Sequence, residues 1–181
     1  MRKRFKGRGR AKRCAYIGEN VTINGYVGRS ACVGDGATVG GRVEYMADVG
    51  AGAVIEVGAA VELNGTVRER TIIKSGVVVP AGADIHAGYI VHAVLSAGLD
   101  TRGYHVIAVL CQERNDDGPS NPMQWRVMAG CRDFTFDEAL FHWGKPNWGW
   151  GGNPDIAAKV AYLKKAVKIW EKENGKLGRR R

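Results

Sequence analysis

Residues 43–91 read VEYMADVGAGAVIEVGAAVELNGTVRERTIIKSGVVVPAGADIHAGYIV, and an aliphatic residue returns at every sixth position. The series is Val43, Val49, Ile55, Val61, Val67, Ile73, Val79, Ile85 and Val91. A shorter run precedes it, Val21, Val27, Val33 and Val39, so thirteen positions carry the period. Four residues after most of them sits a small residue: Gly25, Ala31, Ala37, Ala47, Ala53, Ala59, Gly65, Thr71 and Ala83. A fixed short period outranks local propensity in deciding architecture. Three hexads close one triangular coil of a parallel β-helix, with the aliphatic pointing inward and the small residue easing the corner.

Stacking explains the period. Residues eighteen apart lie one above the other, about 4.8 Å apart. Val43, Val61 and Val79 form one ladder, Val49, Val67 and Ile85 a second, Ile55, Ile73 and Val91 a third. Every rung is β-branched, which suits stiff extended backbone packed on both sides. The thirteen hexads amount to a little over four coils. One step is short: Val39 to Val43 spans four residues, which requires a tightened corner or a bulge near Gly40–Val43. An antiparallel sandwich with accidental periodicity is the competing reading, and thirteen in-register positions with one slip count against it.

Over residues 17–96 the chain resembles the hexapeptide-repeat proteins, the family of acyltransferases whose solenoid is a left-handed β-helix, usually trimeric. Gamma-class carbonic anhydrases and polymer-forming bacterial solenoids share that architecture. The resemblance implies the fold and a homo-oligomer, a trimer being favoured, but not an activity.

Charge is spread unevenly. Residues 1–13, MRKRFKGRGRAKR, hold eight Lys or Arg and no acid, and residues 176–181, KLGRRR, hold four. The rest of the chain has 15 basic and 18 acidic residues, so the formal charge of +9 arises at the ends. A basic arm of this composition contacts phosphates of nucleic acid or an acidic protein surface, with strong salt dependence. The expected contacts are Arg2, Lys3, Arg4, Lys6, Arg8, Arg10, Lys12 and Arg13 at one end and Arg179, Arg180 and Arg181 at the other. Gly7 and Gly9 suggest a flexible arm. No apolar stretch is long enough to span a membrane, and no signal-peptide pattern follows the basic start. Cys14, Cys32, Cys111 and Cys131 show no CxxC spacing and no His pairing, so reduced thiols, a cytoplasmic setting and no zinc site are expected.

After Ala97 the rhythm stops. Residues 98–103 read as a linker, and 104–111 and 124–131 as two strands of a hairpin with a long polar loop. Thr135 and Glu138 have capping-box spacing at the head of a short helix that stops at Gly144. Asn153 and Pro154 open a longer helix with a spine of Ile156, Val160, Leu163, Val167 and Trp170. The expected organisation is a basic arm (1–14), solenoid (15–97), linker (98–103), small α/β cap (104–175) and basic tail (176–181). The fold class is mainly β, with a hairpin and two helices as the cap. The segment AGCRDFTFDEALFHWG is also similar to one that follows solenoids in uncharacterised phage and prophage proteins. Gly130, Cys131, Arg132, Phe134, Glu138, Ala139, His142 and Trp143 carry that match. It implies a phage or mobile-element origin, with the host cytoplasm or the virion as location, and no activity.

Catalytic signals are sparse. His86 and His92 follow inward aliphatics and project from neighbouring faces of the last full coil, above Arg68 and above Lys74 and Glu56. In a hexapeptide acyltransferase a His is the general base at a subunit interface, so these two are the catalytic candidates under that reading. A third His for a carbonic-anhydrase zinc is missing, and no loop is inserted into the coils to hold coenzyme A. Trp148 and Trp150 lie among glycines and suit stacking on a base or sugar, or sealing of the solenoid end. The reading favoured overall is a non-enzymatic scaffold or binding protein with no cofactor, whose basic ends grip nucleic acid or an acidic partner. The alternatives are a His-dependent acyltransferase and a phage counter-defence protein that sequesters a small anion such as a nucleotide.

Overall fold

Each rung of the solenoid is two residues long, the first turned outward and the second buried. The structure, a computed structural model, describes residues 6–115, 117–144 and 153–174. The first turn holds β1 (Arg10–Ala11), β2 (Tyr16–Ile17) and β3 (Thr22–Ile23). The second holds β4 (Tyr26–Val27), β5 (Cys32–Val33) and β6 (Thr38–Val39), and the third β7 (Arg42–Val43), β8 (Asp48–Val49) and β9 (Val54–Ile55). The fourth holds β10 (Ala60–Val61), β11 (Thr66–Val67) and β12 (Ile72–Ile73). The fifth holds β13 (Val78–Val79), β14 (Asp84–Ile85) and the first residues of β15 (Tyr89–Leu99). Three parallel sheets result, in the orders β1-β4-β7-β10-β13, β2-β5-β8-β11-β14 and β3-β6-β9-β12-β15. The three expected ladders are present in register: Val43, Val61 and Val79; Val49, Val67 and Ile85; Ile55, Ile73 and Val91. All nine side chains are fully buried.

The lower turns differ from the expected register. Partners there are sixteen residues apart, as in Ala11↔Val27↔Val43 and Ile23↔Val39↔Ile55, and the eighteen-residue spacing begins only with Val43↔Val61. Two corners are short, not one: Ile23 to Val27 and Val39 to Val43. Ile23, not Val21, is therefore the rung residue. Val21, also buried, takes the corner place that alanine holds in later turns. The backbones at the short corners nearly touch. A Cβ on Gly25 would lie 1.8 Å from the Gly41 carbonyl oxygen, so only glycine fits. The stretch expected as a flexible arm also contributes: from Lys6 onward it is the lowest rung, with a bridge Lys6↔Thr22 and strand β1.

β15 runs on past the last rung and pairs antiparallel with β16 (His105–Asn115). Of the residues expected as a linker, 98 and 99 end β15 and 100–103 form the turn between the strands. The buried Asp100 carboxylate accepts the N–H of Arg102 (3.0 Å) and of Tyr104 (2.7 Å). Then come β17 (Gly118–Pro119), β18 (Gln124–Ala129), which pairs with β16 as expected, and β19 (Arg132–Phe134). The helices are α1 (Phe136–Gly144) and α2 (Pro154–Asn174). Thr135 and Glu138 form the capping box, with Glu138 accepting the Thr135 N–H at 2.8 Å. Asn153 Oδ1 caps α2 by accepting from Asp155 and Ile156.

The cap is a lid in two layers. Ile107, Val109, Cys111 and Met128 complete the solenoid core. On the opposite face Val106, Ala108, Val127 and Ala129 pack against α1 and the Ile156–Val160–Leu163–Val167 spine. This period-two alternation closes an end that would otherwise expose apolar rungs. A polar bolt pins it: Tyr89 donates its hydroxyl to Asp133 (2.7 Å), which also accepts from Arg126 Nε (2.8 Å). Burial, and then the Asp133 carboxylate, push the Tyr89 hydroxyl well above its ordinary value. The motif residues Phe134, His142 and Trp143 pack ring to ring, with centroids 5.0–5.5 Å apart. Among the described residues no helix is long and apolar enough to cross a membrane.

Candidate polyanion interface on the first turns

Backbone hydrogen bonds fix Lys6, Arg10 and Lys12 of the basic segment. Lys6 N–H donates to Val21 O (2.9 Å), Arg10 N–H to Gly25 O (2.9 Å) and Lys12 N–H to Val27 O (3.0 Å). Because Ala11 is the inward member of β1, Arg10 faces out. Lys6, Arg8, Arg10, Lys12 and Arg13 are all solvent-accessible. Several cations elsewhere are paired: Arg68 with Asp84, Lys74 with Glu56, Arg126 with Asp133, Lys159 with Asp155, Lys164 with Asp137. Among the described residues, no ion pair involves the five of the first turn. Arg2, Lys3, Arg4, Arg179, Arg180, Arg181, Trp148 and Trp150 lie outside the described residues.

The sixteen-residue register adds residues that charge composition did not reveal. Arg10, Tyr26 and Arg42 are register partners on one outer face. At about 4.8 Å per rung, the two arginines stand roughly 10 Å apart with a phenol between them. Where the short corners recede, a groove of about 320 Å³ is lined by Arg8, Arg10, Arg42, Tyr26 and the bare backbone of Gly25 and Gly41. Arg42 also pairs with Glu44. The signal was present in the sequence: Ile17, Val33 and Val49 repeat at sixteen, as do Ile23, Val39 and Ile55. A second recess, about 860 Å³, runs along β2, β5 and β8 and is lined by Lys12, Arg13, Tyr16, Cys32 and Asp48. Burial, and next the Asp48 charge, push the Cys32 thiol up, so it stays protonated.

The two candidate catalytic histidines are engaged by the cap. His86 Nε2 donates to Gly130 O at 2.9 Å, and His92 Nε2 meets Gln112 Oε1 at 3.2 Å. They stand on separate faces with separate partners, and no group of three or more potential metal ligands occurs among the described residues. Burial, then the Lys74 charge, hold His92 below its ordinary value, against the opposing bond to Gln112.

Fold and site together define a capped parallel β-solenoid with an unneutralised cationic edge at the end away from the lid. No protein-family model, curated protein or solved structure matches the chain.

Proposed function

We propose that the protein is a scaffold that grips a polyanion, nucleic acid in first place, with the first turns of its solenoid. One observation carries this reading: five accessible cations on the first turn, three of them on hydrogen-bonded rung backbone and none in an ion pair among the described residues, continued upward by Tyr26 and Arg42. Rigid cations lose little entropy on meeting phosphates, and the released counterions supply the affinity. A phenol between arginines suits stacking on an unpaired base. A homo-oligomer, a trimer in the manner of hexapeptide solenoids, multiplies the cationic edge. In keeping with the resemblance that residues 129–144 bear to segments of phage solenoid proteins, the scaffold is proposed to be phage or prophage encoded and to act in the host cytoplasm or the virion.

Gel shift against salt tests the reading. Replacing Arg8, Arg10 and Arg42 together by alanine is expected to lower the slope of log affinity against log salt by roughly one for each phosphate no longer neutralised. An unchanged slope and affinity would overturn it. The larger recess favours a second reading, a small anionic ligand such as a nucleotide held by Lys12 and Arg13 against Tyr16. Calorimetry with a nucleoside triphosphate separates the two, because that heat depends on Lys12 and Arg13 and not on Arg42.

A further inference from the structure

At the junction of cap and solenoid a serine and a histidine stand within hydrogen-bond reach, with the histidine's other nitrogen already committed. His105 Nδ1 lies 2.8 Å from Ala81 O, and Ser96 Oγ lies 2.6 Å from His105 Nε2. A carbonyl oxygen only accepts, so Nδ1 carries the proton of the neutral ring. Nε2 then presents its lone pair, and the Ser96 hydroxyl donates to it. This is the order nucleophile, base, orienting acceptor, with a backbone carbonyl in the place a carboxylate holds in serine hydrolases.

The local backbone is built for the pairing. β15 and β16 lose register between Ser96 and Leu99, where Gly98 adopts a φ of +78°. The bulge offsets the strands so that Ser96, whose register partner is Ile107, reaches diagonally to His105. Gly98 N–H donates to the same Oγ at 3.0 Å and fixes its orientation. Ser96 is exposed, so a substrate can approach it. Leu99, the register partner of His105, is 57% exposed, and Tyr104 next to His105 is 50% exposed, which leaves bare apolar surface beside the pair. Neither His86 nor His92 has a hydroxyl or thiol partner among its described hydrogen bonds.

We propose that Ser96 and His105 form a nucleophile–base dyad that cleaves carboxylic esters with a short apolar acyl group. Ser96 Oγ bonds to the ester carbonyl carbon as its proton passes to His105 Nε2. The imidazolium returns that proton to the departing alcohol oxygen as the C–O bond breaks, leaving acyl-Ser96. Water, giving its proton to the same Nε2, then attacks the acyl carbon. The acid leaves as Oγ regains the proton. General-base assistance of this kind contributes about 10²–10⁴ in rate.

Intact-mass labelling with diisopropyl fluorophosphate, together with p-nitrophenyl butyrate hydrolysis, tests the proposal on the full chain. The expected result is one phosphoryl adduct, mapped to Ser96 with loss of fluoride, and hydrolysis about 10²-fold or more above that of Ser96→Ala. His105→Asn keeps a donor at the Nδ1 position for Ala81 O but has no basic nitrogen, so it is expected to fold with wild-type circular dichroism and to lose both labelling and hydrolysis. Ser96→Ala removes the oxygen and its bonds to His105 and Gly98 at an exposed position, and its circular dichroism checks that it remains folded. A wild-type protein without adduct at Ser96, or hydrolysis unchanged in Ser96→Ala, overturns the dyad. An anchoring role for His105 alone moves the melting temperature but gives no adduct.

Discussion

Replacing Gly25 by alanine probes the short corners, where backbone stacks directly on backbone. The added Cβ would sit 1.8 Å from Gly41 O and 2.6 Å from Gly40 O, both main-chain atoms that cannot swing aside. Ordinary contact begins at 3.4 Å, so the two turns must part locally by about 1.6 Å, the difference from 1.8 Å. Two bonds cross that gap: Tyr26 N–H to Gly41 O at 2.9 Å and Gly25 N–H to Val39 O at 3.0 Å. Overpacking costs about 1–3 kcal/mol and each broken bond about 1 kcal/mol or more, which places the effect at about 3–5 kcal/mol. Gly76→Ala is the control, because a Cβ there meets nothing within 4 Å and adds only the strain of a φ of +78°. That strain is about 1–2 kcal/mol. Urea unfolding followed by circular dichroism gives both values, and hydrogen exchange at the Tyr26 amide reports the corner itself. If Gly25→Ala proved no worse than Gly76→Ala while the Tyr26 amide kept its protection, the stacked-corner account would be wrong.

Ile55→Ala removes a fully buried rung at the centre of its ladder, and a loss of about 2–5 kcal/mol is expected from the urea midpoint. Tyr89→Phe deletes the hydroxyl that bolts the last rung to Asp133, and a loss of about 1–3 kcal/mol is expected in thermal melts. A variant as stable as wild type would show that Arg126 alone satisfies the carboxylate. His92 binds its proton less readily when folded than its ordinary value near 6.5 implies. Its contribution is complete above that value and is lost as pH falls below it, so the melting temperature should drop between pH 7 and 5. His92→Gln should flatten the drop, and an unchanged profile would assign it to other groups.

Where a buried position accepts only one kind of residue, the sequence was readable. From Val43 to Val91 every rung is a β-branched residue at a fixed interval, and the ladders followed directly. Below Val39 two aliphatics compete: Val21 and Ile23 are both buried, and spacing alone does not say which is the rung. The first turn was hidden for the opposite reason, since β1 turns inward only the half-buried Ala11 among arginines and lysines and reads as unstructured charge. In the cap, the Thr135–Glu138 box and the Asn153–Pro154 start are local devices and were legible. The groove was overshadowed, since the sixteen-residue repeat that joins Arg10, Tyr26 and Arg42 competes with the six-residue one, and the Ser96–His105 pair depends on a bulge that no spacing reveals.

The change of spacing from sixteen to eighteen at one edge leaves the inward ladders unbroken, so this solenoid counts rungs and not residues. A one-residue slip inside a strand turns every later side chain to the wrong face. Length added between Val39 and Val43, or between Ile55 and Val61, is absorbed outside the ladder. That edge is therefore a natural editing seam. Loops can be grafted there, or lost over evolutionary time, and the groove's depth changes while the tube that carries it stays the same.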